Sequence, residues 1–330
     1  MTLKLAPLAL WLTASISAAA GATDPTAHSA IPASESRLVI LGTGGGPIPQ
    51  ADRSQPANLL IVRGKAYLID CGDGTSRQIT KAGYRVNQIG NIFLTHLHFD
   101  HTGGLSAFMG FDWMAKRTQP VAIYGPPGSE KLVQTSAANL GVAEAIFAPQ
   151  VPDLLPLASV FAAQDFDLTT PREIYRDENV RVTAVENSHY STMHLPPREY
   201  GRDRSYSLRF DTPDRSIVFT GDTGPSAALE ALARDADILV SEAIDLDAVT
   251  ASIRRRGAKD GNDLEPLIDH MRHEHLTPEE VGKLATRASV KMVVLTHLAG
   301  AAGPDTSSFA VGVRREYSGP VVVAQDLDAF

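Results

Sequence analysis

The chain has 330 residues, 43% hydrophobic and 21% charged, with a formal net charge of −8. That composition supports a full hydrophobic core and excludes a chain disordered throughout, while leaving one large domain or two smaller ones open. An acidic balance is also a poor match for a polyanion such as RNA, which is held by Lys and Arg, although Arg254-Arg255-Arg256 offers one local basic patch.

The N-terminus reads as an export signal. Lys4 precedes an apolar run from Leu5 to Ile16, and small residues follow in Ser17-Ala18-Ala19-Ala20-Gly21-Ala22. Ala18-x-Ala20 and Ala20-x-Ala22 both suit a signal peptidase. The run is too short and too interrupted for a membrane span. Residues 1–22 are therefore expected to be a signal peptide and 37–330 a hydrolase domain, periplasmic or secreted, with no membrane association beyond export. Arg37 to Leu41 is then a strand, ended by the Gly42-Thr43-Gly44-Gly45-Gly46 turn. Leu59 to Val62 and Ala66 to Ile69 form a hairpin around Arg63-Gly64-Lys65. Cys71 is the single cysteine; it excludes an intrachain disulfide and reads as a buried, inert thiol. A helix spans Thr75 to Ala82, stopped by Gly83. Asn91 to Thr95 is a strand, 103–116 is helical, Val121 to Tyr124 is a strand, and Ser129 to Leu140 is a helix. Phe111 and Trp113 are assigned to the core. Pro149 to Pro156 and Glu186 to Asp203 are loop-like. Strands follow at Val180 to Val185, Tyr206 to Phe210, Ser216 to Thr220 and Ile238 to Ser241, with a helix at Ser226 to Arg234. Thr277-Pro278-Glu279-Glu280 is a capping box that opens a helix to about Ala288. Lys291 to Leu295 and Pro320 to Ala324 are the last strands. Strands come in runs with helices between some of them, which predicts two mixed sheets covered by helices.

The chemistry concentrates just past the strand that ends at Thr95. His96, His98, Asp100 and His101 lie within six positions. Alternate residues of an extended segment point the same way, so His96 and His98 can share one metal ion. Asp100 and His101 fall where the chain turns into the next helix and can face a second ion. Imidazole and carboxylate suit zinc, and also iron or manganese. Four ligands do not complete two sites. His189, Asp222 and His297 each follow an apolar strand and are the candidates to complete them, with His194 as a neighbour of His189. Asp70 reads as a residue that orients the metal-binding loop without touching the metal.

The His-x-His-x-Asp-His run at residues 96 to 101, with His189, Gly221-Asp222-Thr223 and Thr296-His297 in order, resembles the metallo-β-lactamase superfamily. Leu41-Gly42-Thr43-Gly44 and Leu68-Ile69-Asp70-Cys71-Gly72 extend the likeness over about residues 37 to 300. The resemblance implies an α+β fold, an αββα four-layer sandwich, with two divalent metal ions, most simply Zn2+, between the sheets at one edge. It places His96, His98 and His189 on one metal, Asp100, His101 and His297 on the other, and Asp222 between them. Ser241-Glu242-Ala243 and His273-Glu274-His275-Leu276-Thr277 are similar to the ribonuclease Z branch and to secreted metallo-arylsulfatases. That likeness makes His275 a general acid, oriented by Glu242 or Glu274, beside Asp100. The chain shows no long Gly- and basic-rich arm of the kind ribonuclease Z uses for tRNA. With the acidic balance and the export signal, this favours an arylsulfatase- or phosphodiesterase-like hydrolase of sulfate or phosphate esters, working through a metal-bridging hydroxide on a small-molecule ester, with no nucleic acid partner. The competing expectations are a lactonase or β-lactamase-like hydrolase, and a non-catalytic metal-binding module. A homodimer is compatible with the sequence.

Overall fold

The computed structural model describes residues 36–260, 264–301 and 305–330; the expected export segment lies outside them. The first sheet begins with β1 (Ser36–Gly42), β2 (Ala57–Val62) and β3 (Lys65–Ile69), paired antiparallel. The β2–β3 hairpin turns on Arg63 and Gly64, both at positive φ (49° and 81°), the twist a two-residue connection needs. Helix α1 (Thr75–Lys81) leads to β4 (Ile89–Phe93). Helices α2 (Phe99–Thr102) and α3 (Leu105–Met114) precede β5 (Val121–Gly125), and α4 (Ser129–Phe147) and α5 (Leu157–Val160) precede β6 (Phe161–Asp165). From β3 to β6 the pairing is parallel.

The second sheet starts as an antiparallel run of β7 (Arg172–Arg176), β8 (Arg181–Glu186), β9 (Tyr206–Asp211) and β10 (Ser216–Phe219). It continues in parallel through β11 (Ile238–Ile244), β12 (Val293–Ala299) and β13 (Val321–Val323). Helices α6 (Ala227–Leu232), α7 (Leu246–Asp260), α8 (Glu265–His273), α9 (Pro278–Arg287) and α10 (Ser307–Arg314) connect these strands.

Both faces of each sheet are buried, and strand alternation divides the apolar residues among three layers. Leu38 and Ile40 of β1 meet Phe210, Ile217 and Val240 of the second sheet between the sheets. Val39 and Leu41 face the other way, toward Ile79 of α1 and Phe108 of α3. Leu239 and Leu295 face outward to Leu284 of α9 and Phe309 of α10. Phe93 and Phe210 join the two sheets edge to face, with ring centroids 5.1 Å apart. The result is the expected αββα sandwich.

Several elements depart from the sequence reading. Strands β6 and β7, at the ends of the sheet orders, carry Gln164, Asp165, Arg172 and Glu173, so they lack the apolar run that marks a strand. Helix α4 passes through Gly141 to Phe147. Its last two turns are packed too little to give a helical pattern. Phe111 was assigned to the core and is instead 60% exposed on α3, whereas Trp113 is 2% exposed and gives its indole N–H to the Leu155 carbonyl. Among the described residues no helix is long and apolar enough to cross a membrane.

One carboxylate binds the sheets together at the end away from the His-rich loop. Asp177, in the β7–β8 turn, accepts from Lys65 Nζ and Tyr67 Oη at 2.7 Å and from Tyr175 Oη at 2.8 Å. It also accepts the backbone N–H groups of Asn179 and Val180 at 2.8 and 2.9 Å. Burial pushes this carboxyl up, but Lys65 and Tyr67 outweigh it and hold it well below the usual carboxylate range. A depressed carboxyl stabilises the fold fully above its unfolded value, about pH 4, and the benefit fades as pH falls below that. Replacing Asp177 with Ala is expected to cost about 3 kcal/mol at pH 7, somewhat less at pH 3 and least near pH 1, measured by urea unfolding across that range.

Candidate metal centre

The ends of β4, β8, β10 and β12 meet at one edge of the sandwich. Beyond β4 the chain stays extended through His98 (φ −61°, ψ 150°) and then coils into α2, which carries Asp100 and His101. Asp70 fixes this loop from behind. It sits at φ 59°, so its carboxylate turns back to accept the Thr95 N–H at 2.8 Å and the Thr95 hydroxyl at 2.9 Å. The hydroxyl proton is thereby committed to Asp70. The Thr95 oxygen can then only accept from His96 Nδ1, 3.0 Å away, which leaves the lone pair of His96 on Nε2. His101 Nδ1 lies 2.9 Å from the same Asp70 carboxylate, so the neutral ring that a metal takes keeps its lone pair on Nε2. Asp70 therefore sets two imidazole tautomers without entering the cluster.

His189 is oriented by the backbone. Its Nδ1 donates to the Glu274 carbonyl at 2.9 Å, and its Nε2 lies 3.0 Å from His98 Nδ1. His297 sits in β12 at φ 44°, where the β11–β12 register shifts between Ser241 and Ala243. That bulge turns His297 toward the edge. Its Nε2 is 3.2 Å from both Asp100 Oδ2 and Asp222 Oδ2. Asp222 follows Gly221, whose φ of 58° a side chain would strain. Asp222 Oδ1 is 3.1 Å from His101 Nε2, and Oδ2 is 3.8 Å from His96 Nε2 and 3.9 Å from His189 Nε2. Gly46 closes the other side: a Cβ there would lie 2.0 Å from Asp100 Oδ2. The Gly-rich turn is thus a close approach to the cluster.

Donor atoms fall into three sets, each within 4.8 Å: one of imidazoles alone, His189, His270 and His275, and two that include carboxylates, His96, His98, His189 and Asp222, and Asp100, His101, Asp222 and His297. Asp222 belongs to both of the latter. His96 Nε2, His101 Nε2 and Asp222 Oδ1 are sealed from solvent and make no hydrogen bond of acceptable geometry, despite the 3.1 Å approach of the last two. Buried polar atoms left in this way need a partner. Burial and the neighbouring His101 hold His96 well below the ordinary histidine range, and burial holds His98 down to about 4. Neutral imidazoles are what a cation requires. Burial pushes the Asp222 carboxyl up, but His297 and His101 outweigh it and keep it well below its usual range. Burial likewise pushes Asp100 up, and His101 and His297 bring it to about 2. Lone pairs and carboxylates converging in this way fit divalent metal ions.

All seven ligand candidates named from sequence are brought together here. His194 is exposed and outside the cluster. Cys71 is buried with no disulfide, and burial pushes its thiol up to about 12, as an inert residue requires. Glu242 is buried behind the site. It accepts the Thr223 N–H at 2.6 Å through Oε1 and lies 2.7 Å from His275 Nδ1 through Oε2. Burial opposes charge on His275, but Glu242 outweighs it and raises the imidazole above its ordinary range. Glu274 is engaged elsewhere, with His270 Nδ1 and the Thr192 N–H. His270 was missed. It lies 5.2 Å from His189 and 5.5 Å from His275 between ring centroids. Its i,i+4 spacing to Glu274 was the available signal.

A family model described as Anti-Pycsar protein Apyc1 matches residues 36–254. A Mycobacterium bovis protein named Ribonuclease Z is 30% identical over 294 residues, covering 88% of this chain and 96% of that one. Two solved structures share the fold. The metallo-β-lactamase fold protein YhfI from Bacillus subtilis has a TM-score of 0.61 and 18% identity, covering 89% and 98% of the two chains. The short form of human tRNase Z has a TM-score of 0.60 and 22% identity, with the same coverages. The chain belongs to the matching family and, with it, to the ribonuclease Z-like branch of the metallo-β-lactamase superfamily. It is a metal-dependent hydrolase of ester bonds that binds divalent metal ions.

Two expectations are corrected by these relatives. The arylsulfatase-like activity on a small-molecule ester, with lactonase, β-lactamase-like and non-catalytic alternatives beside it, gives way to a branch whose members are named as ribonucleases. The exclusion of nucleic acid fails with it. Net charge sums the whole surface, whereas a substrate meets the local field, and bound cations dominate that field.

Metal should stabilise this edge strongly. Adding a divalent ion to metal-stripped protein at about a thousand times its Kd is expected to raise unfolding stability by about 4 kcal/mol. His96→Ala and Asp222→Ala should lose most of that gain in thermal-shift titrations.

Proposed function

We propose that the chain hydrolyses phosphodiester bonds in RNA, with two zinc ions held by the two donor sets that share Asp222. The shared Asp222 carries the reading, because one buried carboxylate between two imidazole clusters suits a paired-metal phosphodiester site. The ribonuclease names of its relatives support the substrate class, and the all-His/Asp donor set suits zinc. Such ions would supply an activated water and neutralise charge on the phosphate oxygens.

The chain's own residues do the rest. Gly46 and His297 fix Asp100, and Asp70 fixes His96 and His101. His275 has its Nδ1 engaged by Glu242, so its Nε2 is the atom available to protonate the leaving ribose oxygen. Glu242 holds that ring and favours its protonated form.

Metal-loaded protein should cleave a 3′-extended RNA hairpin and lose this activity to a chelator. His275→Ala should slow RNA cleavage by about 10²- to 10⁴-fold. The same variant should change hydrolysis of bis(4-nitrophenyl) phosphate less than about tenfold, since nitrophenolate leaves without a proton. Failure of the loaded protein to cleave RNA would overturn the proposal.

We also propose that residues 1–22 direct export, on the strength of their sequence pattern. Protein recovered from the periplasm or medium should begin at Gly21 or Thr23 by N-terminal sequencing. Full-length protein confined to the cytoplasm would contradict this.

A further inference from the structure

Phe99 stands out against its surroundings. It lies between two candidate ligands, His98 and Asp100, yet its side chain is 67% exposed. His96, Asp100 and His101 beside it are all buried, and only His98 and Leu97 share its partial opening. Phe99 is thus the most exposed residue of the ligand-bearing segment 96–101. Its ring is held along α2, because a Cβ at Gly103 would lie 3.6 Å from Phe99 Cε2 and Cζ. Phe99 makes no contact with another aromatic ring among the described residues.

A second exposed apolar side chain belongs to the turn that packs on the site. Gly46 packs on the Asp100 carboxylate, and Ile48, two residues on, is 58% exposed. Asp100 thus adjoins Phe99 in sequence and the Gly46 turn in space. Successive Cα atoms are about 3.8 Å apart, so a phosphate drawn to the cations that His98 and Asp100 would ligate would bring its nearest nucleotide near the phenyl ring. A base offers an aromatic face to stack there, and ribose and phosphate do not.

We infer that Phe99 is a stacking platform for the nucleobase next to the scissile phosphate, with Ile48 as the facing apolar wall. The inference rests on the phosphodiester reading above and makes the site selective for base-bearing esters. Stacking tolerates any base, so the platform recognises nucleotides as a class and not one base.

The test is calorimetric binding of AMP and of ribose 5-phosphate to the metal-loaded protein. AMP should bind about tenfold more tightly than ribose 5-phosphate. Phe99→Ala should make the two ligands equal, with metal content and thermal stability unchanged, and Phe99→Trp should restore the preference. Retention of the full AMP preference in Phe99→Ala, or its absence from the unaltered protein while both ligands bind, would overturn the platform and leave the phosphodiester reading intact. Binding of neither ligand would sink that reading as well.

Discussion

The structure is organised around a buried carboxylate that needs positive charge. Asp222 lies at the edge of the sandwich with imidazoles on both sides, and one of its oxygens is sealed without a hydrogen bond. An uncompensated charge there would be costly. His101 and His297 answer part of that need in the metal-free chain: burial works against their charge, but Asp222 outweighs it and raises both above the ordinary histidine range. Metal ions answer it better, because they also satisfy His96 and His189, which burial keeps neutral. Much of the local backbone serves this arrangement. Asp70 and His297 occupy positive φ, and Gly46 gives up a side chain to admit Asp100. Strain of this kind is expected where function over-determines the conformation.

The centre is also insulated by layers of orientation. Asp70 sets the tautomers of His96 and His101 through Thr95. The Glu274 carbonyl sets that of His189. Glu242 reaches toward His275 and also anchors the backbone after Asp222 through the Thr223 N–H. His275 and the backbone after Asp222 are thus referenced to one buried side chain, which couples their positions. Phe99 and Ile48 lie outside these layers and are exposed.

The site was legible in the sequence because metal chemistry demands particular residues at particular places. His96 to His101 are contiguous, and the distant ligands all follow apolar strands. The two-sheet architecture was legible because most strands are buried on both faces and read as apolar runs. Edge strands β6 and β7 were not, since they trade apolar residues for charge. His270 stayed hidden because its one sequence signal, the i,i+4 spacing to Glu274, points to a local pair and not to a site until the fold brings it beside His189. Substrate class was the weakest inference, and it failed. Whole-chain acidity and the absence of a basic arm were taken to exclude RNA, yet neither describes the few ångströms around a paired-cation site.

The central claim is that two cations share Asp222. Anomalous diffraction from crystals of the metal-loaded protein tests it directly. The account predicts two peaks, one among His96, His98 and His189 and one among Asp100, His101 and His297, with Asp222 in contact with both. A single peak, or a second ion held by His270 and His275 away from Asp222, would contradict it.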